Sequence, residues 1–346
     1  MLLFSGCTKK SSAINIIWVN ERPSALAIPR DLPGDVTVSP ENIIVRMESK
    51  NPVAMLGNYT FDDDHVIFEP LIPFTRGLRY EILVNGVIAG KVDIPEADAA
   101  DSPLLLNIYP TQDTVPENLL KIYLHFSKPM REGVSAQHIT VIKNNTDTLQ
   151  GTFLDLQPEL WNEDRTMLTL WLDPGRIKRD LIPNKISGTP LQNGNHYTLI
   201  IADRWTDTQG LSLTKPFKKE FTAATRDSES PDPKSWTLNK PVSPTDPLVV
   251  IFNSPLDYSL MMSTLLVHDG NTSIAGRWEP GAKEKSIKFI PGENWIAGNY
   301  TLRIETRLED LAGNNINRLF DRTIKHAGDT VSAVEIISIP FTVTPQ

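Results

Sequence analysis

The 346-residue sequence has one cysteine, Cys7, and no long apolar run. A single cysteine excludes a framework of intramolecular disulfides, so each core has to come from packing. No apolar stretch approaches the roughly 18–20 residues that a membrane-spanning helix needs. The net charge of −8 and the pI near 5.4 argue against a nucleic-acid partner, because such proteins present a basic surface.

The sequence also lacks the common motifs of catalysis and metal binding. Its six histidines have no paired spacing for zinc, and no nucleophile elbow, phosphate loop or dinucleotide fingerprint occurs. The carboxylates at 62–64 are adjacent in a predicted turn, where they cannot all converge on one calcium ion. We therefore predict no catalytic residue, no metal ligand and no cofactor.

Proline is abundant, with 27 residues that lie mostly in turn contexts. Because proline is excluded from helix interiors and central strands, this number favours short strands over long helices. In the range 120–126, apolar residues at even positions alternate with Lys121, Tyr123 and His125. This period of two predicts a strand with one buried face and one solvated face.

The middle and last thirds of the chain share one order of landmarks. Each begins with Phe-x-x-Pro and has a glycine 24 or 25 residues after the phenylalanine. A Gly-Asn run then leads into Tyr-Thr-Leu. An Asp-x-x-Gly motif begins ten residues after that tyrosine. These landmarks lie at 126–130, Gly151, 194–199 and 207–210 in the middle copy, and at 252–256, Gly276, 298–302 and 310–313 in the last copy. The first third is a weaker copy without the Asp-x-x-Gly ending. Repeated short strands with turn signals are typical of sandwiches.

These landmarks resemble the bacterial Ig-like domains of surface-layer and other cell-envelope proteins. The resemblance implies an all-β fold with three tandem Ig-like β-sandwich domains, in structural, spacing or adhesive roles. The predicted organisation is a lipobox and tether (1–13), a degenerate Ig-like domain (14–97), an Ig-like domain with an insertion (103–225), a further Ig-like domain (234–328) and a C-terminal tail (329–346). The tail either adds an edge strand to a neighbouring domain or is partly disordered.

Cys7 follows a short apolar run, Leu2–Phe4, and two small residues. This pattern resembles the lipobox of bacterial lipoproteins, in which the cysteine becomes the first mature residue and carries lipid. Six residues precede Cys7, fewer than the apolar core of about 7–15 residues in a complete secretory signal. The resemblance implies that the membrane is a partner through lipidated Cys7. By the same resemblance, Lys9 favours the outer membrane.

The middle copy is longer than the last copy. Its phenylalanine and tyrosine landmarks are 71 residues apart, against 48 in the last copy, and the extra 23 residues lie between 151 and 197. This insertion places Arg176, Lys178, Arg179 and Lys185 against Asp180 in a chain of net negative charge. Such a loop could dock a phosphate or carboxylate group through bidentate arginine contacts. The alternative is a solvated loop or a short helix that packs through the apolar residues at 177, 181 and 182.

Two further residues complete the candidate binding set of Arg176, Lys178, Arg179, Trp205 and Asp207. An exposed Trp205 could stack on a sugar ring, although a tryptophan after a strand is more often part of a core. Asp207 could contact a ligand, although the Asp-x-x-Gly pattern is more often a capped turn.

Three functional hypotheses follow from the sequence. The first is a lipid-anchored, non-enzymatic cell-envelope protein with a structural, adhesive or scaffold role. The second is a binding module that contacts an anionic glycan or lipid through the basic insertion, with an envelope glycan or protein as its partner. The third is a hydrolase with carboxylates in the insertion.

Overall fold

The computed structural model describes residues 13–19, 22–32, 36–39, 41–62, 64–96, 98–270, 272–321 and 334–344. The predicted Cys7 anchor lies outside these residues. Strands dominate the described chain, and its three α-helices have only four to six residues each. No helix within these ranges is long and apolar enough to cross a membrane.

The described chain forms two compact units and three hydrophobic cores. One unit holds the described residues up to Ser102 together with Thr206–Ser212, and the other holds Pro103–Trp205 and the described residues from Leu213 onward. One core lies in the first unit and two lie in the second. Each core takes its side chains from two sheets, which is the arrangement of a β-sandwich. The predicted all-β fold of Ig-like sandwiches is confirmed, and the exact domain boundaries stay a prediction.

The first sandwich has nine strands. They are β1 (Asn15–Val19), β2 (Arg22–Pro29), β3 (Asp31–Leu32), β4 (Val36–Thr37), β5 (Ile43–Met47), β6 (Gly57–Phe61), β7 (His65–Pro70), β8 (Arg79–Val84) and β9 (Val87–Asp93). One sheet has the order β1-β2-β7-β6, the other has the order β5-β8-β9, and β3 pairs with β4. Leu26 and Phe68 from the first sheet and Val45 and Ile82 from the second are fully buried in the core between them.

The middle sandwich carries the insertion. Its elements are β10 (Leu105–Tyr109), β11 (Thr114–Pro116), β12 (Lys121–Phe126), β13 (Ile139–Lys143), β14 (Asp147–Leu149), β15 (Met167–Trp171), α1 (Pro174–Ile177), α2 (Ile182–Ser187), β16 (His196–Ile201) and β17 (Phe217–Ala224). The sheets have the orders β10-β12-β15 and β11-β17-β16-β13-β14. Strand β11 pairs with β17 in parallel, and the other pairs are antiparallel. Both helices lie within the insertion.

The last sandwich is closed by a strand from the predicted tail. Its elements are β18 (Thr237–Asn239), β19 (Leu248–Ile251), α3 (Tyr258–Ser263), β20 (Leu265–His268), β21 (Gly276–Pro280), β22 (Ser286–Pro291), β23 (Gly298–Glu305) and β24 (Ile336–Val343). The sheets have the orders β18-β19-β22-β21 and β20-β23-β24. Strand β24 pairs with β23 over all eight residues, so this part of the tail forms an edge strand.

Strand β12 differs from its predicted pattern. The even-numbered apolar residues enter the core as expected, but Tyr123 on the opposite face is only 4% exposed. The side chain of Lys121 on that same face is 10% exposed. The last sandwich covers this face through contacts to residues 257 and 309, so the predicted solvated face of β12 is wrong.

The two Asp-x-x-Gly segments form the same capped turn. In each, Oδ1 of the aspartate accepts hydrogen bonds from the backbone N–H groups two and four residues later, at 2.8 and 2.9 Å. Gly210 and Gly313 close these turns with φ of +91° and +79°, a region that favours glycine. The predicted role of the motif as a turn therefore agrees with the geometry of Asp207 and Asp310.

The surroundings of the two glycines differ. A Cβ atom added at Gly210 would have no neighbour within 4 Å, whereas a Cβ at Gly313 would clash with Cδ2 of Leu120. Since Leu120 belongs to the middle sandwich, the second turn is packed directly against a neighbouring repeat.

We expect Gly313→Ala to destabilise the protein more than Gly210→Ala. Both substitutions place alanine in the left-handed region, at a cost of about 1–2 kcal/mol. Only Gly313→Ala also overpacks the contact with Leu120, which adds about 1–3 kcal/mol. Calorimetry and urea unfolding of the two variants measure this difference, and equal losses of stability would contradict the packing described for Gly313.

Candidate functional site

A cluster of charged and polar side chains is buried where the middle and last sandwiches meet. Lys121 and Tyr123 come from β12, Asp257 precedes α3, and Glu309 lies just before the second Asp-x-x-Gly turn. Asp257 is fixed in place because its Oδ1 caps α3, accepting the backbone N–H of Leu260 at 2.9 Å. We call Lys121, Tyr123, Asp257 and Glu309 the junction cluster.

The members of the junction cluster satisfy one another. The Tyr123 hydroxyl donates to the Asp257 carboxylate, at 2.7 Å from Oδ2. The Lys121 ammonium lies 2.7 Å from Oε2 of Glu309 and 3.4 Å from Oδ2 of Asp257. The side chain of Asp257 is 5% exposed and that of Glu309 is 22% exposed. One cation and one phenol thus pair with two carboxylates from the neighbouring sandwich.

Burial sets the protonation of these groups. Burial raises the pKa of the Tyr123 hydroxyl, and the negative charge of Asp257 raises it further. Burial alone would lower the pKa of Lys121, but the carboxylates of Asp257 and Glu309 outweigh it, so the pKa is raised. Burial also raises the pKa of Glu309, against the opposing effect of Lys121. The phenol therefore stays protonated and the lysine stays charged, which suits a structural contact rather than proton transfer.

Apolar contacts surround the junction cluster. Leu311 of the last sandwich is buried among the core residues of the middle sandwich, and its carbonyl accepts the backbone N–H of Leu120 at 2.9 Å. The rings of Tyr109 and Tyr258 stack at 3.6 Å between centroids, with 10° between their planes. The two cores are therefore joined by shared packing as well as by charge.

Another buried carboxylate, that of Glu284, fixes the loop after β10. Both oxygens of Glu284, a residue only 1% exposed, accept from Thr111, at 2.8 Å from the hydroxyl and 2.9 Å from the backbone N–H. Burial raises the pKa of Glu284, although the bonds from Thr111 and the charge of Lys219 oppose this rise. Gln112 adds a bond from its side chain to the carbonyl of Lys283, at 3.1 Å.

Asp310 lies beside the junction cluster and is 2% exposed. Burial raises its pKa to about 7, although bonds from the Asn314 side chain and from backbone N–H groups favour the charged form. Its Oδ2 accepts from Nδ2 of Asn314 at 2.8 Å. These bonds fix the turn that carries Leu311 into the middle core.

The insertion is built around Arg176. Asp173 caps α1, and Gly188 with φ of +68° ends α2, so the two short helices fold back on each other. The Arg176 guanidinium donates to four backbone carbonyls, those of Gly151, Ser187, Gly188 and Thr189. This predicted anion-binding arginine therefore ties the insertion together internally.

Two other predicted binding residues contact the last sandwich. Nζ of Lys178 lies 4.3 Å from the centre of the Phe320 ring. Nε of Arg179 lies 2.9 Å from Oδ2 of Asp321, and the same oxygen accepts from Arg226 at 3.0 Å. The side chain of Arg179 is still 63% exposed, so this cation remains open to solvent as well.

Trp205 and Asp207 do not join the basic residues. Trp205 is fully buried, stacks on His138 at 5.4 Å and donates from Nε1 to the carbonyl of Arg131 at 3.1 Å. Its ring faces are therefore closed to a ligand in this fold, which agrees with the alternative of a core tryptophan. Asp207 is 3% exposed and caps its own turn. Ligand binding by the five-residue set stays a prediction.

A cleft of about 320 Å³ opens in the middle sandwich between β13 and β15. Its lining comes from residues 135–170, including Thr152, Phe153, Glu159 and Leu160, and not from α1 or α2. Both oxygens of Glu159 are occupied, by the backbone N–H groups of Gly133 and Ser135 and by the indole of Trp161. The helical part of the insertion therefore does not close this cleft. Within the described ranges, no group of three or more His, Cys, Asp or Glu could hold a metal ion.

The fold and the junction define a tandem Ig-like β-sandwich protein. No family model matches the chain, and no curated protein matches it. Among solved structures it is similar to the N-terminal part of the bacterial S-layer protein SbsC, with 14% identity, 64% of this chain and 44% of that chain covered, and a TM-score of 0.25. It is also similar to Escherichia coli alpha-2-macroglobulin spanning domains MG0-NIE-MG1, with 10% identity, 70% and 72% covered, and a TM-score of 0.25.

A third similar structure is chicken CNTN1 FN1-FN3, with 9% identity, 96% of this chain and 98% of that chain covered, and a TM-score of 0.20. The chain spans less than half of the S-layer chain that it matches. Similarity at this level assigns no binding partner or activity.

The sequence patterns did not indicate the junction cluster. Lys121 and Tyr123 stand at the polar positions of an alternating strand, and their partners are 134 to 188 positions away in the chain. The available signal was Tyr123 itself, because a tyrosine facing outward on a strand is a large surface that a neighbouring domain can bury.

We expect Asp257→Ala to lower the free energy of unfolding by about 2–4 kcal/mol, because it leaves the buried Tyr123 hydroxyl without its acceptor, leaves Lys121 with Glu309 alone, and removes the cap of α3. Tyr123→Phe should cost less, about 1–2 kcal/mol, since it removes only a hydroxyl. Urea unfolding measures the loss of stability in both variants.

The matched control is Arg277→Ala, which breaks the surface ion pair with Glu279. The Arg277 side chain is 69% exposed, so this change should lower the free energy of unfolding by less than about 1 kcal/mol. A loss for Asp257→Ala no larger than for this control would contradict the junction.

We expect Asp310 to make stability depend on pH. Its folded pKa of about 7 lies above the unfolded value near 3.8, so the folded protein holds an extra proton between these values. The stability contributed by that proton is fully present below about pH 4 and is lost as the pH rises through about 7, by on the order of 2–4 kcal/mol. Unfolding measured from pH 4 to pH 8 should show this loss relative to Asp310→Asn. A constant difference between the two proteins would show that Asp310 does not titrate in this window.

Proposed function

We propose that this chain is a lipid-anchored protein of the cell envelope whose Ig-like sandwiches act as a structural or adhesive spacer. Cys7 would carry the lipid, and Lys9 would direct the protein to the outer membrane. An envelope glycan or protein is the partner that an adhesive role would need. The observation that carries the spacer role is the junction cluster, and the sequence around Cys7 supports the anchor.

The junction cluster supports a spacer because it makes bending between the middle and last sandwiches costly. Separating the sandwiches would break the ion pairs of Lys121 with Glu309 and Asp257 and the hydrogen bond from Tyr123, and it would expose the buried Tyr123 ring to water. Separation would also remove Leu311 from the core of the middle sandwich, where it packs although it belongs to the last sandwich by sequence. Interfaces between domains usually permit motion unless they are extensive and apolar. We therefore expect the described residues of 103–205 and 213–344 to act as one stiff element.

The same geometry favours a non-enzymatic role. The carboxyl groups with raised pKa values, Glu284, Glu309 and Asp310, are the groups that an acid–base reaction would use. Each already accepts hydrogen bonds or an ion pair from the protein, and the partners of Glu284 and Glu309 lie in the middle sandwich. Their burial thus supports a structural role better than hydrolysis.

We expect Cys7→Ser to abolish lipid attachment in a bacterial host that processes lipoproteins. Metabolic labelling with a clickable fatty acid, followed by mass spectrometry of the N-terminal peptide, measures the modification. The parent protein should be labelled and found with the outer membrane. Lys9→Asp is the matched control for sorting and should keep the label while moving the protein to the inner membrane. An unlabelled parent protein in the cytosol would refute the anchor.

A further inference from the structure

The second helix of the insertion ends in an exposed apolar surface. Ile182 is 72% exposed and Ile186 is 79% exposed, the highest value for a large apolar residue in the described chain. Because they are four positions apart in α2, the two side chains lie on the same helix face. Leu181 directly before the helix is 44% exposed. We call Leu181, Ile182, Lys185 and Ile186 the α2 tip.

The α2 tip carries one exposed cation, Lys185, and a second, Arg179, lies two residues before it and also pairs with Asp321. Asp180 is the only acidic residue between 176 and 187. The net charge of residues 176–187 is therefore positive, whereas the net charge of the whole chain is −8. Exposed aliphatic side chains flanked by cations match the boundary of an anionic bilayer, where apolar groups enter the acyl region and cations meet phosphates.

The α2 tip is held rigidly by its base. Arg176 fastens the turn after α2 through the carbonyls of residues 187–189, and Asn184 donates from its side chain to the Arg176 carbonyl. Arg179 links the preceding turn to Asp321. Ile177, directly before this turn, is fully buried. The exposed isoleucines are thus presented on an ordered support, which lowers the entropy cost of binding.

We propose that the α2 tip docks on an anionic phospholipid surface. Ile182 and Ile186 insert beneath the headgroups, and Lys185 and Arg179 contact the phosphates. This contact is additional to the lipid proposed at Cys7 and does not depend on it. A full-length protein with Cys7→Ser isolates it, so a failure of the anchor and a failure of the docking surface give different results.

The experiment is sedimentation of the full chain carrying Cys7→Ser with two kinds of vesicle. One kind contains phosphatidylglycerol in phosphatidylcholine, and the other is phosphatidylcholine alone. We expect binding to the anionic vesicles that weakens as salt is added, and much weaker binding to the neutral ones. The double variant Ile182→Ser, Ile186→Ser should bind at least about tenfold more weakly, because each isoleucine that enters the acyl region contributes strongly to the binding free energy. Lys185→Glu should weaken binding to the anionic vesicles only.

The last sandwich offers a matched control, Lys240→Glu with Val242→Ser. Val242 is 73% exposed and Lys240 is exposed, so the control removes the same kinds of group elsewhere. It should bind like the parent, and thermal unfolding should show every variant folded. The proposal is overturned if the parent does not bind, if the control loses as much as the double variant, or if the double variant binds unchanged. A parent that is a dimer by light scattering, with a monomeric double variant, would assign the tip to self-association instead.

Discussion

The Lys121 ammonium group, which contacts two carboxylates of a different sandwich, imposes the main constraint on how the middle and last sandwiches pack together. A buried charge is tolerated only while its partners remain in reach, so the position of β12 fixes the positions of Asp257 and Glu309. Asp257 caps the N-terminus of α3, and Glu309 directly precedes the Asp-x-x-Gly turn that carries Leu311. One ion cluster therefore couples the strand of one repeat to a helix and a turn of the next.

The repeated Asp-x-x-Gly turn shows how one local motif serves two purposes. Its hydrogen bonds are the same at Asp207 and Asp310, because they depend only on the aspartate side chain and on the backbone of the four residues after it. The energetics differ because the second turn is packed against Leu120. Burial, rather than the motif, is what raises the pKa of Asp310 to about 7. The turn is a local property of the sequence, and its function in the junction is a property of the assembly of repeats.

The sequence was sufficient for much of the fold, because strands and turns are local. Alternation in β12, the glycine-tyrosine strand starts and the capped turns all follow from spacing within about ten residues. The junction could not be predicted in this way, since Tyr123 and Lys121 look like solvated positions until a distant partner covers them. In the insertion, the expected packing of Ile177 is correct, whereas Ile182 is exposed. Ile177 ends α1 and Ile182 begins α2, and the sequence of two such short helices does not reveal which of them packs against the core.

Leu311 has a consequence for how freely the repeats could be exchanged during evolution. It belongs by sequence to the last repeat and by packing to the core of the middle one. A middle repeat copied to another place in a protein would leave behind part of its own interior, and it would present Tyr123 and Lys121 without a cover. The boundary between the repeats in the sequence is thus not the boundary of the middle core, and the middle and last sandwiches pack as a pair.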